Sequence, residues 1–375
     1  MIKNVPCIRW ELENILRLMS LWPDSKNKLA CLFIGFSWII TIPFQLMYFY
    51  ELSNNVTELM SSLFDVANEF ALLFRFIVAW IHRKILISLV VEMSEDWKQS
   101  KLKETRETRT AFLFTRGDLY FYCGAMLLLL PQVVINYFTN GVDKREFILN
   151  TIYPFEDHQS PVYELIIVTQ FIHIILVGCA EFFLQALMIS VVCHLGVQYN
   201  IMNEQIIKFI ADAQKEKILE REKNLMAGLL VQKHQKNISF AERIEEAFVF
   251  ISLFQCANSV ASICCCSLVF VMTDDPIEIL RFSVFLIMRL AQTFVLCYAG
   301  EYLTDKNSLV ADIVYHSDWY ELHPKYIKIL QLMMVRAQKP LVLTAGKFVV
   351  LTSETFTVIL KTSASYISVL RVIYK

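Results

Sequence analysis

The chain has 375 residues, of which 56% are hydrophobic and 28 are Phe, and its formal net charge is −1. A chain this long and this apolar reads as a membrane protein rather than a pair of soluble domains. Its balanced charge offers no basic footprint for nucleic acid.

Residues 1–28 hold Lys3, Arg9, Glu11, Glu13, Arg17 and Lys26, with no continuous apolar core followed by a small-residue cleavage site. The first membrane helix is therefore expected to act as an uncleaved signal-anchor. Apolar stretches long enough to cross a bilayer fall at roughly 29–50, 63–90, 117–138, 162–200, 245–273, 279–303 and 341–374, which makes seven crossings. The fourth is unusually long. Residues 203–243 mix both charge signs at helical spacing and read as solvated continuations of the fourth and fifth helices. Tyr326–Ala337 is amphipathic, with Ile327, Leu330 and Met334 set against Lys328, Gln331 and Arg336, and is too short and polar to span.

The last segment, Pro340 to Lys375, is expected to be one membrane helix carrying Lys347, Glu354 and Lys361. Seven residues is two turns less about 20°, so the three charges would share nearly one stripe, with Thr344, Ser365 and Ser368 close to it. A charge at the bilayer centre costs roughly 2.5–3.5 kcal/mol on insertion scales. Such a helix should face water or protein, which makes it a candidate pore helix.

Charge placement orients the chain. Lys and Arg number five in 1–28, eight in 81–117, eight in 198–243 and five in 302–340, against none in 50–62, two in 138–161 and none in 271–280. The positive-inside rule puts the N-terminus in the cytoplasm, and seven crossings put the C-terminus outside. Of two sequons, Asn55-Val-Thr57 and Asn237-Ile-Ser239, only Asn55 then lies outside and is open to glycosylation.

The ten Cys sit mostly in apolar segments with no C-x-x-C pair, so neither a disulfide framework nor a metal site is expected. No G-x-S-x-G, H-E-x-x-H, P-loop or Rossmann pattern appears, so neither an enzyme nor a cofactor is indicated. A G-protein-coupled receptor is disfavoured too. The N-terminus is on the wrong side, loop 138–161 has no Cys, and no D-R-Y or N-P-x-x-Y triplet stands at the expected helix ends. Arg75, His173, Glu181 and Arg289 are ionisable residues inside spans and functional candidates by default. Arg75 could pair with Glu69 or Glu181, and Arg289 with Glu181; the sequence leaves these open.

Several patches resemble the insect odorant receptors, a family of ligand-gated cation channels. They are Leu16–Pro23 (LRLMSLWP), Gly300-Glu301, Ser317–Tyr320 (SDWY), Arg336–Pro340 (RAQKP), Leu343–Phe348 (LTAGKF), Thr355-Phe356 and Leu360–Leu370 (LKTSASYISVL). They lie along nearly the whole chain, and the last is the most specific. The resemblance implies an all-α channel fold divided into a cytoplasmic segment 1–28, helices one to six with the ligand pocket over 29–303, an inner loop and anchor helix over 304–340, and a pore-lining seventh helix over 341–375.

By the same resemblance the second inner loop is short, as in the ligand-tuning subunits and unlike the co-receptor. Such a subunit would act in a heterotetramer with the co-receptor, in the plasma membrane of a sensory-neuron dendrite surrounded by membrane lipid, and would be opened by a volatile or lipid-like odorant. Val369 and Ile373 match the family's gate positions and would close the conduit by dewetting; as plain residues they also suit lipid or packing contacts. Glu354 and Lys361 suit either pore lining or an ion pair within the chain.

The pocket is expected in the outer half, among helices two, three, four and six. Its candidates are Phe64, Asn68, Ala71 and Leu72; Met126, Leu130 and Val134; Thr169, Ile172, His173 and Val177; and Phe285, Met288 and Arg289. Each also suits ordinary bundle core. Two competing readings stand beside the odorant channel. A gustatory-type channel would carry a T-Y-h-h-h-h-Q-F ending, which is absent, and a small-molecule transporter would show uptake without a gated current.

Overall fold

The computed structural model describes residues 10–19, 22, 29–51, 56–100, 107–111, 113–117, 119–120, 123–124, 147–215, 218–272 and 276–373. The described chain is almost wholly helical. In order come α1 (Trp10–Leu18), α2 (Leu29–Glu51), α3 (Val56–Ile81), α4 (Arg83–Ser100), α5 (Val162–Ala213), α6 (Glu220–Met272), α7 (Pro276–Tyr315), α8 (Pro324–Ala337), the short strands β1 (Thr344–Ala345) and β2 (Val349–Val350), and α9 (Ser353–Ile373). Residues 107–111 and 113–117 are helical as well. Most of the expected third span, 117–138, lies outside the described residues.

Among the described residues, α2, α5, α6 and α7 are long and apolar enough to cross a membrane by composition alone. The helix α3 carries Asp65, Glu69 and Arg75 within 26 residues, so its apolar signal is diluted. Two helices far outrun any bilayer. With 52 residues in α5 and 53 in α6, each is about 80 Å long at 1.5 Å per residue, against a hydrocarbon core of about 30 Å.

The expected span 63–90 is two helices rather than one. A single residue, His82, separates α3 from α4, its Nδ1 lying 3.0 Å from the Val78 carbonyl.

The final segment differs more. It is not a continuous helix from 341, because residues 344–350 fold into an antiparallel two-stranded hairpin and the helix starts only at Ser353. Gly346 and Lys347 both adopt positive φ, +67° and +70°, a conformation that ends a helix and suits Gly. Thr344 is latched to Glu245 of α6 through its backbone N–H (2.8 Å) and its hydroxyl, and the Gly346 N–H donates to the Val249 carbonyl at 3.0 Å. Lys347 therefore leaves the stripe expected of it.

The start of α9 is built on the Gly300-Glu301 pair. A Cβ on residue 300 would collide with the Leu351 carbonyl and Cβ, so Gly lets α7 touch the hairpin exit. The next residue, Glu301, accepts from the Ser353 N–H (3.1 Å) and hydroxyl, while Thr352 caps by accepting from the Thr355 N–H at 3.2 Å. These bonds satisfy otherwise orphaned donors of the first turn and place a carboxylate at the positive end of the helix.

The end of the bundle that carries α1, α8 and the hairpin is the Lys/Arg-rich end, here the anchor. Its core is apolar: Leu12, Leu16, Trp22, Trp97, Tyr199, Phe209, Phe248, Tyr326 and Leu330 are all buried. Polar ties surround it. The Tyr326 hydroxyl donates to Glu220 at 2.7 Å, and Asn307 Nδ2 donates to the Ala337 carbonyl at 2.8 Å. Asp96 of α4 meets His194 of α5 at 3.3 Å and Lys236 of α6, which also lies 3.5 Å from Glu92. Burial alone would raise the Asp96 carboxyl, but the hydrogen bonds with His194 and Lys236 outweigh it and hold the group below its usual value. Burial, helped by the nearby Arg336 charge, pushes His234 down to about 4.

The other half inverts this pattern outward. Phe33, Phe36 and Ile39 of α2 and Leu165, Val168 and Ile175 of α5 are exposed, as lipid-facing surfaces are. Asn237 is buried, its amide 3.9 Å from Met202 Sδ, while Asn55 lies outside the described residues. Cys123, Cys179, Cys193, Cys256, Cys264, Cys265, Cys266 and Cys297 are free.

Candidate functional site

Away from the anchor, the centre of the bundle is polar. Glu181 of α5 pairs with Arg289 of α7, and Arg75 of α3 lies 3.4 Å from the same carboxylate oxygen. Two guanidinium groups thus share one buried carboxylate, which settles pairings the sequence leaves open. Asn68 Oδ1 accepts from Arg289 Nη2 (2.8 Å) and Asn258 Nδ2 (2.9 Å), and Gln292 Oε1 accepts from Arg289 Nη1 (3.0 Å) and Gln255 Nε2 (3.3 Å). One network therefore joins α3, α5, α6 and α7.

A second carboxylate, Glu69, sits on the α2 side. It accepts from Trp38 Nε1 at 2.7 Å and contacts His173 Nε2 at 3.3 Å, while His173 Nδ1 lies 3.0 Å from Ser37 Oγ. Among apolar walls, such charges persist only when paired and hydrogen-bonded.

Farther from the anchor the site becomes aromatic. Phe64 meets Phe282 and Phe285 edge-on at 5.6 and 5.7 Å, over Cys265, Cys266 and Val269. The segment 147–161 lies over this end of α5, held by Gln170, whose Oε1 accepts from the Ile148 and Leu149 N–H groups (3.0 and 3.1 Å).

The structure gathers some of the sequence candidates and separates others. Phe64, Leu72, His173, Val177, Met288 and Arg289 are buried, and Asn68, Ala71 and Phe285 half-buried, within the polar centre or beside it. Thr169 and Ile172 do not join them. On α5 the buried stripe runs Ile166, Gln170, His173, Val177, so 169 and 172 fall on the outward side and are exposed. Met126, Leu130 and Val134 lie outside the described residues. Val369 and Ile373 belong to α9, but their side chains are outside the described ones.

Sequence reasoning passes over several neutral polar residues. Gln45, Ser62 and Ser262 are buried, with side-chain atoms that find no hydrogen-bond partner among the described residues. Gln185, Gln255 and Gln292 complete the network around Glu181. Their signal was amides and hydroxyls inside apolar spans, weaker than a charge and easily mistaken for ordinary helix surface.

This fold is that of an insect olfactory receptor. The chain superposes on olfactory receptor OR5 of Machilis hrabei, solved in complex with eugenol, with a TM-score of 0.81 over 96% of this chain and 97% of that one, at 15% identity. The profile of the 7tm Odorant receptor family matches residues 55–364, and the chain belongs to that family. It is 26% identical to odorant receptor 13a of Drosophila melanogaster over 96% of this chain and 94% of that protein. With odorant receptor 49a of the same fly it shares 23% over 79% and 76% of the two chains. The chain is a transmembrane odorant receptor of a receptor family, not an enzyme family.

Proposed function

We propose that this receptor is the ligand-tuning subunit of an odorant-gated, nonselective cation channel, working with the co-receptor in a heterotetramer. The observation that carries the reading is the surface of α9. Glu354, Thr357, Lys361, Ser365 and Ser368 are all exposed, and at 100° per residue they fall within about 80° of the helix circumference. Among the described residues neither Glu354 nor Lys361 forms an ion pair. A polar stripe that a membrane protein's own chain leaves uncovered calls for water or neighbouring subunits, which is what a shared central pore supplies.

In this reading the anchor is cytoplasmic, the C-terminus extracellular, and the protein stands in the plasma membrane of a sensory dendrite. The segments 1–28, 29–303, 304–340 and 341–375 serve as inner segment, ligand-binding bundle, anchor loop and pore segment. A small volatile or lipid-like molecule of the kind that OR5 holds would bind beside Phe64, Asn68, His173, Met288 and Arg289. Polar groups on it would meet Gln45, Ser62 and Ser262, whose side chains find no partner among the described residues. The remaining contacts proposed are Ala71, Leu72, Val177, Phe285, Met126, Leu130 and Val134, while Thr169 and Ile172, on the outward side of α5, are left out. Binding the open state more tightly shifts the gate; moving from mostly closed to mostly open takes roughly 5 kcal/mol of differential affinity, which several subunits can share.

Co-expression with the co-receptor and an odorant panel tests this. Odorant-evoked cation current is expected, and uptake without current would replace the channel with a transporter. Val369→Ala with Ile373→Ala should raise basal leak; an unchanged leak removes the gate assignment. Asn55→Gln should abolish a deglycosylation mass shift, whereas loss on Asn237→Gln would invert the topology.

A further inference from the structure

A cavity of about 210 Å³ lies near the anchor, between Glu107, Thr110 and Phe114 on one side and α5 and α7 on the other. It is separate from the polar centre, and none of the residues discussed for odorant binding lines it. We propose that it is a second small-molecule site, for a neutral, single-ring amphiphile of the benzyl alcohol class.

Three properties argue for this ligand. The first is a charge-balanced polar group in the lining. Lys306 Nζ lies 3.5 Å from Glu107 Oε1 and donates to Asn200 Oδ1 at 2.7 Å, and Asn200 Nδ2 donates to Glu107 at 2.7 Å. This part of the lining offers a carboxylate and an ammonium group already balanced against each other. It therefore favours a neutral hydroxyl, which both donates and accepts, over an ionised head.

The second is the wall. Phe114 and Tyr298 face each other with ring centroids 6.0 Å apart, Tyr298 stacks toward Tyr302 at 6.2 Å, and the Lys306 ammonium sits 5.4 Å over the Tyr302 ring. Ile189 and Val295 supply the aliphatic side. A hollow walled by aromatic and aliphatic side chains, with a few convergent polar groups, is the usual form of a ligand site.

The third is size. A cavity of about 150 Å³ holds benzene, so the present volume suits one ring with a short substituent. The position also matters. Phe294 stacks on Tyr298 at 6.2 Å and meets Phe356 of α9 edge-on at 5.5 Å, so a ring seated against Tyr298 is one aromatic contact from the helix that braces it.

The test needs no channel activity, so it fails or succeeds independently of the proposed function. The purified full-length chain in neutral-lipid nanodiscs is photolabelled with a benzyl alcohol bearing a trifluoromethyl-diazirine, and adducts are mapped by mass spectrometry. Saturable labelling of the peptides holding Phe114 and Tyr298 is expected, competed by excess benzyl alcohol. Ala299→Leu and Ile189→Phe, which fill the cavity from different walls, should each weaken competition about tenfold while eluting as the parent protein does. Two independent variants guard against one that misfolds. Labelling confined to Phe64 and the far half, labelling that neither variant weakens, or no competed adduct would each overturn the site.

Discussion

The anchor and the membrane half are built on opposite plans. In the anchor, Trp22, Trp97, Tyr326 and Leu330 are gathered inside and charges ring the outside. Water drives that arrangement, since each fully buried large apolar side chain contributes about 1.5–3 kcal/mol. In the membrane half, Phe33, Phe36 and Ile39 point outward while Glu69, Arg75, Glu181 and Arg289 are inside. Lipid is as apolar as Leu, so apolar burial selects nothing there. Packing and polar contacts hold the helices together instead. The same helices, α5 and α6, run through both halves and change their logic along their length.

The largest break in that contrast should come from Glu181→Gln. Removing the carboxylate leaves Arg75 and Arg289 buried without their shared anion, which costs on the order of 3–5 kcal/mol. Thermal unfolding in detergent measures it; a loss well under 1 kcal/mol would show that the network does not hold the bundle. In the anchor, Leu330→Ala should cost about 2–5 kcal/mol by cavity formation, read from the same melting curve.

A pH titration sharpens the anchor's side of the comparison. The folded protein keeps His234 neutral down to about 4, whereas the unfolded chain protonates it near 6.5. Unfolding therefore takes up a proton between those values. The stability it contributes is complete above pH 6.5 and declines as pH falls toward 4. Asp96 adds its own loss at lower pH, below its ordinary value of 3.8. Melting temperatures of His234→Gln should lack the first decline; a parent-like slope would assign it to another group.

Smaller effects follow. At Gly346, φ is +67° and a new Cβ would press on Phe348 and Leu253, so Gly346→Ala should cost about 1–2 kcal/mol, seen as faster amide exchange at Leu351 in the hairpin. Smallest of all, Ile39→Ala on the exposed side of α2 should stay within about 0.5 kcal/mol when measured in a bilayer. A loss approaching that of Leu330→Ala would mean that another protein, not lipid, covers this side.

Legibility followed how local each signal was. The long apolar runs of α2, α5, α6 and α7 appear wherever 20 such residues occur together, and Tyr326–Ala337 declared itself by its period. The hairpin at 344–350 did not, because apolar Val, Leu and Ala around it mimic a span. Only the positive φ at Gly346 and Lys347 and the reach of Glu245 to Thr344 break it. Of the site, His173, Asn68 and Arg289 were visible as polar residues out of place, while Thr169 and Ile172 could not be told from their buried neighbours without knowing which side of α5 faces inward.

Hydrophobic length and charge asymmetry, properties of the chain read in order, determined that this is a multi-spanning membrane protein and which loops lie together. Partner choice was decided only in three dimensions. Glu181 meets Arg75 across 106 positions and Arg289 across 108, because a carboxylate and a guanidinium in a dry interior must find each other wherever the helices cross. Nothing local in the sequence encodes that crossing.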